Sequence, residues 1–261
     1  MKNIKKIIKS ILNKVKRKEK IAMLHPGRCG STVVGSLLNQ HPSFYWSGEP
    51  FEKLMGTGPL LRDQVTKVIH EREQDKISKI YSFATKYPDG MHLSEDCINQ
   101  SIPEYISLLT ELNYNKFILV TRNNHLKRVI SILKGRQTGE WHSEQKKENV
   151  LSVDVPIKNF EYGINKSGSL TDYFMIMDND TRLVKDSIGG KPLLHIEYES
   201  DIEEDPIKAY RKICEFSGIK SLNPDIKLKK TNPFPVNKLI KNFDEVKKYL
   251  DGTSYAWMLN E

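Results

Sequence analysis

The stretch HPGRCGSTVVGSLLNQHPSFYWSGE, His25 to Glu49, decides how the chain is read. Ile21, Ala22, Met23 and Leu24 precede it as a short apolar run, the pattern of a buried strand. Val33, Val34, Leu37 and Leu38 then repeat with helical spacing. A Gly/Ser/Thr turn between a strand and a helix presents free backbone N–H groups at the positive end of that helix. Arg28, Ser31 and Thr32 add a charge and two hydroxyls, and the combination suits a phosphate. Taken alone, the loop is equally an ordinary strand–turn–helix with a serine N-cap.

An ATP-binding loop of the G-x-x-x-x-G-K-[ST] type needs a lysine for the outer phosphates and a hydroxyl for magnesium, and this loop has no such lysine. Arg28, Cys29, Gly30, Ser31 and Thr32 resemble instead the 5′-phosphosulfate loop of sulfotransferases, R-x-G-[ST]-[ST], which cradles 3′-phosphoadenosine 5′-phosphosulfate (PAPS). A second stretch, KFILVTRNNHLKRVISILKGR from Lys116 to Arg136, runs a strand into Arg122 and then a helix carrying Ser131. It resembles the family's 3′-phosphate clamp, with a spacing one residue longer than the commonest form. The arginine fork matches phosphate in geometry and charge. A third stretch, Lys227 to Leu259, resembles the closing segment of bacterial members and implies cofactor contacts at Lys229, Lys230 and Thr231. Each piece read separately also fits a plain amphipathic helix or polar loop. The resemblance spans most of the chain from residue 20 onward.

The resemblance and the alternation of apolar strands (about 20–25, 78–86, 116–121, 192–198) with helical segments (32–40, 101–113, 125–138, 170–187, 206–217, 238–250) predict an α/β chain. The expected architecture is a three-layer αβα sandwich with a central parallel sheet, the P-loop-like sulfotransferase fold. The expected organisation is a basic tail over 1–20 and one domain over 21–261, with a long irregular loop over 137–169. Ligands of such sheets sit at the carboxyl ends of the strands, where Arg28 and Arg122 both fall.

The net charge of +8 resides in the tail: residues 1–20 carry nine of the 41 Lys/Arg and one of the 33 acids, leaving 32 of each elsewhere. A neutral body does not support nucleic-acid binding. Ile4, Ile7, Ile8, Ile11, Leu12 and Val15 share one face of a helix whose other face is lysine-rich, so the tail is expected to lie on an anionic membrane surface or to remain a solvated arm. No signal peptide or spanning segment is read there, which predicts a cytoplasmic protein, peripheral on the cytoplasmic membrane face where the tail binds lipid. Cys29, Cys97 and Cys214 lack metal-ligand spacing and are expected to be free thiols.

Sulfuryl transfer needs a base for the acceptor hydroxyl and fixed positive charge for the transferring group. Glu49 matches the G-E position that serves as base in related enzymes. Arg28 and Lys86, at the end of the following strand, resemble the positive partners. His92 and His142 read as lone histidines. The expected activity is metal-free transfer from PAPS, leaving PAP, to a carbohydrate or glycolipid, with Trp46, Trp141, Tyr45 and Tyr162 as sugar-stacking candidates. A kinase-like ATP phosphotransferase and a noncatalytic nucleotide- or membrane-binding scaffold are the alternatives.

Overall fold

The computed structural model describes residues 19–73, 79–88, 90–142, 149–163, 165–230 and 233–260. The tail over 1–18 and Thr231 lie outside them. Five strands form one all-parallel sheet: β1 (Lys20–His25), β2 (Phe44–Trp46), β3 (Ile80–Lys86), β4 (Lys116–Thr121) and, after a separate hairpin, β7 (Leu193–Glu197). Their order across the sheet is β2-β3-β1-β4-β7.

Alternate residues of β1 explain why both faces are covered. Ile21 and Met23 point to one apolar layer, joined by Val34 and Leu37 of α1 (Ser31–Asn39) and Tyr210 and Ile213 of α6 (Ile207–Phe216). Ala22 and Leu24 point to the other, with Val65 of α2 (Arg62–Glu73) and Tyr105 and Leu109 of α3 (Ile102–Glu111). Strands buried on both faces read as continuous apolar runs, and the result is the expected three-layer arrangement.

A third apolar cluster lies between α4 (His125–Thr138), α5 (Leu170–Ile188) and α8 (Phe243–Leu250). Two expectations change there. The segment read as one helix over 238–250 is broken into α7 (Val236–Leu239) and α8, because Ile240 turns extended and Val153 exchanges backbone hydrogen bonds with Leu239 and Lys241, each 2.9 Å. The described residues of the span 137–169 are not irregular throughout: they contain the antiparallel hairpin β5 (Phe160–Gly163) and β6 (Lys166–Gly168) and bury Val153, Val155 and Phe160. Scattered apolar residues anchored by distant partners leave no periodicity to read. No helix among the described residues is long and apolar enough to cross a membrane.

Candidate active site

The parallel register sets His25 of β1 beside Lys86 of β3, so the chain's chemistry starts at adjacent strand ends. From there Gly27, Arg28 and Gly30 all adopt positive φ (79°, 56° and 84°), coiling the loop before α1. Only glycine takes Gly30's place without cost, because a Cβ there would lie 2.8 Å from Ile202 Cγ2. The loop is tied from behind by Arg128 of α4, which donates to the carbonyls of Pro26 (2.7 Å) and Gly27 (3.0 Å).

Arg28 donates through Nε to Ser131 Oγ at 2.9 Å and through Nη1 to the Trp141 carbonyl at 2.8 Å. Burial and the neighbouring Arg122 charge hold its guanidinium below the ordinary arginine value. Arg122, at the end of β4, stacks on Tyr198 with its guanidinium 4.2 Å from the ring centroid, and its buried Nε has no partner. Arg28, Gly30, Ser31, Thr32, Arg122 and Ser131 line one cleft of about 360 Å³, and Lys229 and Lys230 close its far side. Cys29 takes no part in the lining: it is fully buried, and His25 draws its thiol below the usual value despite burial.

The turn after β7 organises this cleft. Residues Tyr198–Ile202 form a π-helical turn, a form frequent at functional sites. Tyr198 supports Arg122, Ile202 abuts Gly30, and Glu199 accepts the Asn123 and Asn124 N–H groups at 3.1 and 2.9 Å. Glu203 stands 3.8 Å from both Lys127 and Lys230.

Beside the loop, Lys86 Nζ lies 2.7 Å from Glu49 and 2.6 Å from Glu52. Glu49 also faces His25 Nε2 at 3.4 Å, and His92 Nε2 meets Glu52 at 3.0 Å. Burial works against the Glu49 charge, yet His25 and Lys86 outweigh it and hold the carboxyl well below the usual range. Burial also opposes a charged Lys86, and the two carboxylates outweigh it and push its pKa up. His25 is likewise pushed up to about 9, its interactions with Cys29 and Glu49 overcoming burial. The Gly27 N–H aimed at Nδ1 from 3.1 Å works the other way, because a protonated Nδ1 cannot receive it. The proton facing Glu49 therefore sits on Nε2.

His92, read from sequence as a lone histidine, is fixed on both sides. Its Nδ1 accepts the Lys86 N–H at 3.0 Å and its Nε2 faces Glu52. Sequence reasoning missed Glu52 because its role depends on a short 3-10 turn, Glu52–Leu54, that returns it to Lys86. The donor atoms of Glu49, Glu52 and His92 lie within 4.8 Å of one another, but the Lys86 ammonium stands between the carboxylates.

Of the sugar-stacking candidates, Trp46 is packed on Gly35 of α1 and Tyr45 against Tyr81, while Trp141 lies over Arg28 in the cleft and Tyr162 borders a separate small cavity. His142 lines the cleft beside Trp141.

No protein-family model matches the chain. Nodulation protein H of Rhizobium tropici is 25% identical over 244 residues, spanning 91% of this chain and 92% of that protein. The crystal structure of a sulfotransferase from Alicyclobacillus acidocaldarius aligns with a TM-score of 0.54 at 16% identity, over 93% of each chain. Mouse sulfotransferase SULT7A1 complexed with PAP gives 0.44 at 13% identity, over 98% of this chain and 92% of that one. The chain has the sulfotransferase fold, and it resembles that family in the loop at Arg28, the strand end at Arg122 and the order of its elements.

Proposed function

We propose that this chain, a sulfotransferase in fold and in resemblance, moves a sulfuryl group from PAPS to a hydroxyl of a saccharide or glycolipid. The observation that carries the reading is Arg122: a buried guanidinium whose Nε lacks a partner faces the same cleft as the Arg28 loop. A nucleotide bearing both a 5′- and a 3′-phosphate uses both arginines, and plain ATP uses one. The N–H groups of the Arg28 loop with Ser31 and Thr32 hold the 5′ end, Arg122 and Ser131 hold the 3′-phosphate, and Lys229 and Lys230 close over the nucleotide, a contact that the family resemblance implies for Thr231 as well. PAPS supplies the activated sulfuryl group.

Glu49 receives the acceptor hydroxyl's proton, and Glu52 is the rival base because it shares Lys86 and is the more exposed of the two. Lys86 and Arg28 keep positive charge facing the negative oxygens that develop during transfer. The saccharide or glycolipid acceptor is favoured by Trp141 and Tyr162 as aromatic faces and by the basic apolar-striped tail, which suits a cytoplasmic enzyme working at an anionic membrane surface.

Thermal stability with adenosine 3′,5′-bisphosphate (PAP), and separately with ATP and magnesium, tests the nucleotide. A ligand at about 100 times its Kd adds ~2.7 kcal/mol. Stabilisation by PAP alone supports the reading, and stabilisation by ATP with magnesium alone replaces it with a phosphotransferase. Labelled PAPS offered with extracted glycolipids and soluble saccharides tests the acceptor, and transfer confined to small phenols or steroids overturns the sugar assignment.

A further inference from the structure

Beside Pro26, at the start of the Arg28 loop, lies a second, narrow cavity of about 20 Å³, which shares no lining residue with the nucleotide cleft. It is lined by Arg128 of α4, by Pro26 and Pro88, and by Tyr162 and the exposed Glu161 of the β5–β6 hairpin, with Arg136 a little over two helical turns beyond Arg128. Pro26 follows His25 and Pro88 lies two residues after Lys86, so the cavity lies at the same end of the sheet as the Glu49–Lys86 pair.

Arg128 is 1% exposed, and the known bonds of its guanidinium use Nε and Nη2 on the loop carbonyls. Its Nη1 is buried without a partner, and no ion pair among the described residues reaches it. The Tyr173 ring, 5.8 Å away, offers only a π face. Burying a charge without a counter-charge is costly, so such a site is completed by an anion. The space fits one oxygen-sized group, and Arg136, exposed and bonded only weakly at 3.4 Å to the Glu161 carbonyl, stands at the mouth for a second oxygen.

We infer that this cavity is the acceptor-side subsite for a carboxylate, and that the natural acceptor is an acidic saccharide of the uronate type. One carboxylate oxygen meets Arg128 Nη1, the other meets Arg136, and the sugar ring rests against Tyr162. The inference rests on the sulfotransferase reading for the acceptor's position.

The test titrates the full chain, with and without PAP, with methyl glucuronide and with methyl glucoside, following binding by NMR. The glucuronide is expected to bind about tenfold or more tighter, as befits a charge-assisted hydrogen bond, and Arg136→Gln is expected to remove that preference without altering PAP binding. Equal affinity for the two glycosides, or a preference that survives Arg136→Gln, overturns the inference and leaves the cavity to a water molecule. Loss of PAP binding by the unmodified protein instead overturns the sulfotransferase reading, and the titration without PAP still reports on the subsite.

Discussion

The Nε of Arg28 donates to Ser131 Oγ at 2.9 Å, joining residues 103 positions apart across the mouth of the cleft. This contact joins the Arg28 loop and α4 in the lining of one cleft. It also accounts for the long interval between Arg122 and Ser131: α4 starts at His125, and Ser131 lies nearly two turns into it, on the buried face toward Arg28.

Arg122 is therefore expected to separate nucleotides by their 3′-phosphate. Arg122→Ala should weaken PAP binding by roughly 10–100-fold, the range for charge-assisted hydrogen bonds, while leaving affinity for adenosine 5′-phosphate nearly unchanged. Calorimetric titration of both nucleotides checks this. A parallel loss for both would assign Arg122 to the loop's shape instead of to the 3′-phosphate.

Two carboxylates share Lys86, and substitution distinguishes them. Loss of the true general base is expected to lower kcat by roughly 10²–10⁴-fold. Glu49→Gln is expected to produce that loss, with Glu52→Gln giving a smaller one because Glu52 mainly orients Lys86 and His92. Single-turnover rates with labelled PAPS measure both, and the reverse ranking would transfer the base to Glu52.

Acid should weaken the same cluster through His92. Burial first, and the Lys86 charge after it, hold His92 below its ordinary value against the pull of Glu52. The unfolded chain thus takes up a proton near the normal histidine pKa of about 6.5, where the folded state does not. Stability is fully present above that pH and is lost as pH falls below it. The urea midpoint of the wild type should drop between about pH 6.5 and 5 more steeply than that of His92→Gln; identical slopes would show that His92 does not titrate in this window.

Gly35 supplies a packing test away from the chemistry. A Cβ added at Gly35 would land on the Trp46 ring, which closes the edge strand β2 against α1. Gly35→Ala is expected to destabilise the protein by roughly 1–3 kcal/mol, the usual cost of overpacking, read as a lower denaturant midpoint at unchanged slope. An unchanged midpoint would mean that Trp46 moves aside freely.

The elements legible in the sequence were those with strong local signals. The runs forming β1, β3, β4 and β7 and the helices α3 to α6 fall within a few residues of the expected spans. Strand β2 was hidden in an aromatic triplet too short to show alternation, and α2 is so polar that its buried Val65 and Ile69 leave little stripe. The hairpin β5–β6 and the break at Ile240 depend on pairing across long sequence separations, which no local window contains.

The same division holds for the site. Local sequence marked the Arg28 loop as a strand–turn–helix suited to an anion, because glycines and hydroxyls at a helix start are properties of a few adjacent residues. It also marked Arg122 and Lys86 as charges at strand ends. Tertiary structure alone decided that Lys86 lies between Glu49 and Glu52, that His92 is fixed by both neighbours, that Glu199 holds the turn after Arg122, and that Arg128 faces a second cavity. Those relationships are set by strand order and helix packing, which bring together residues that carry no mutual signal along the chain.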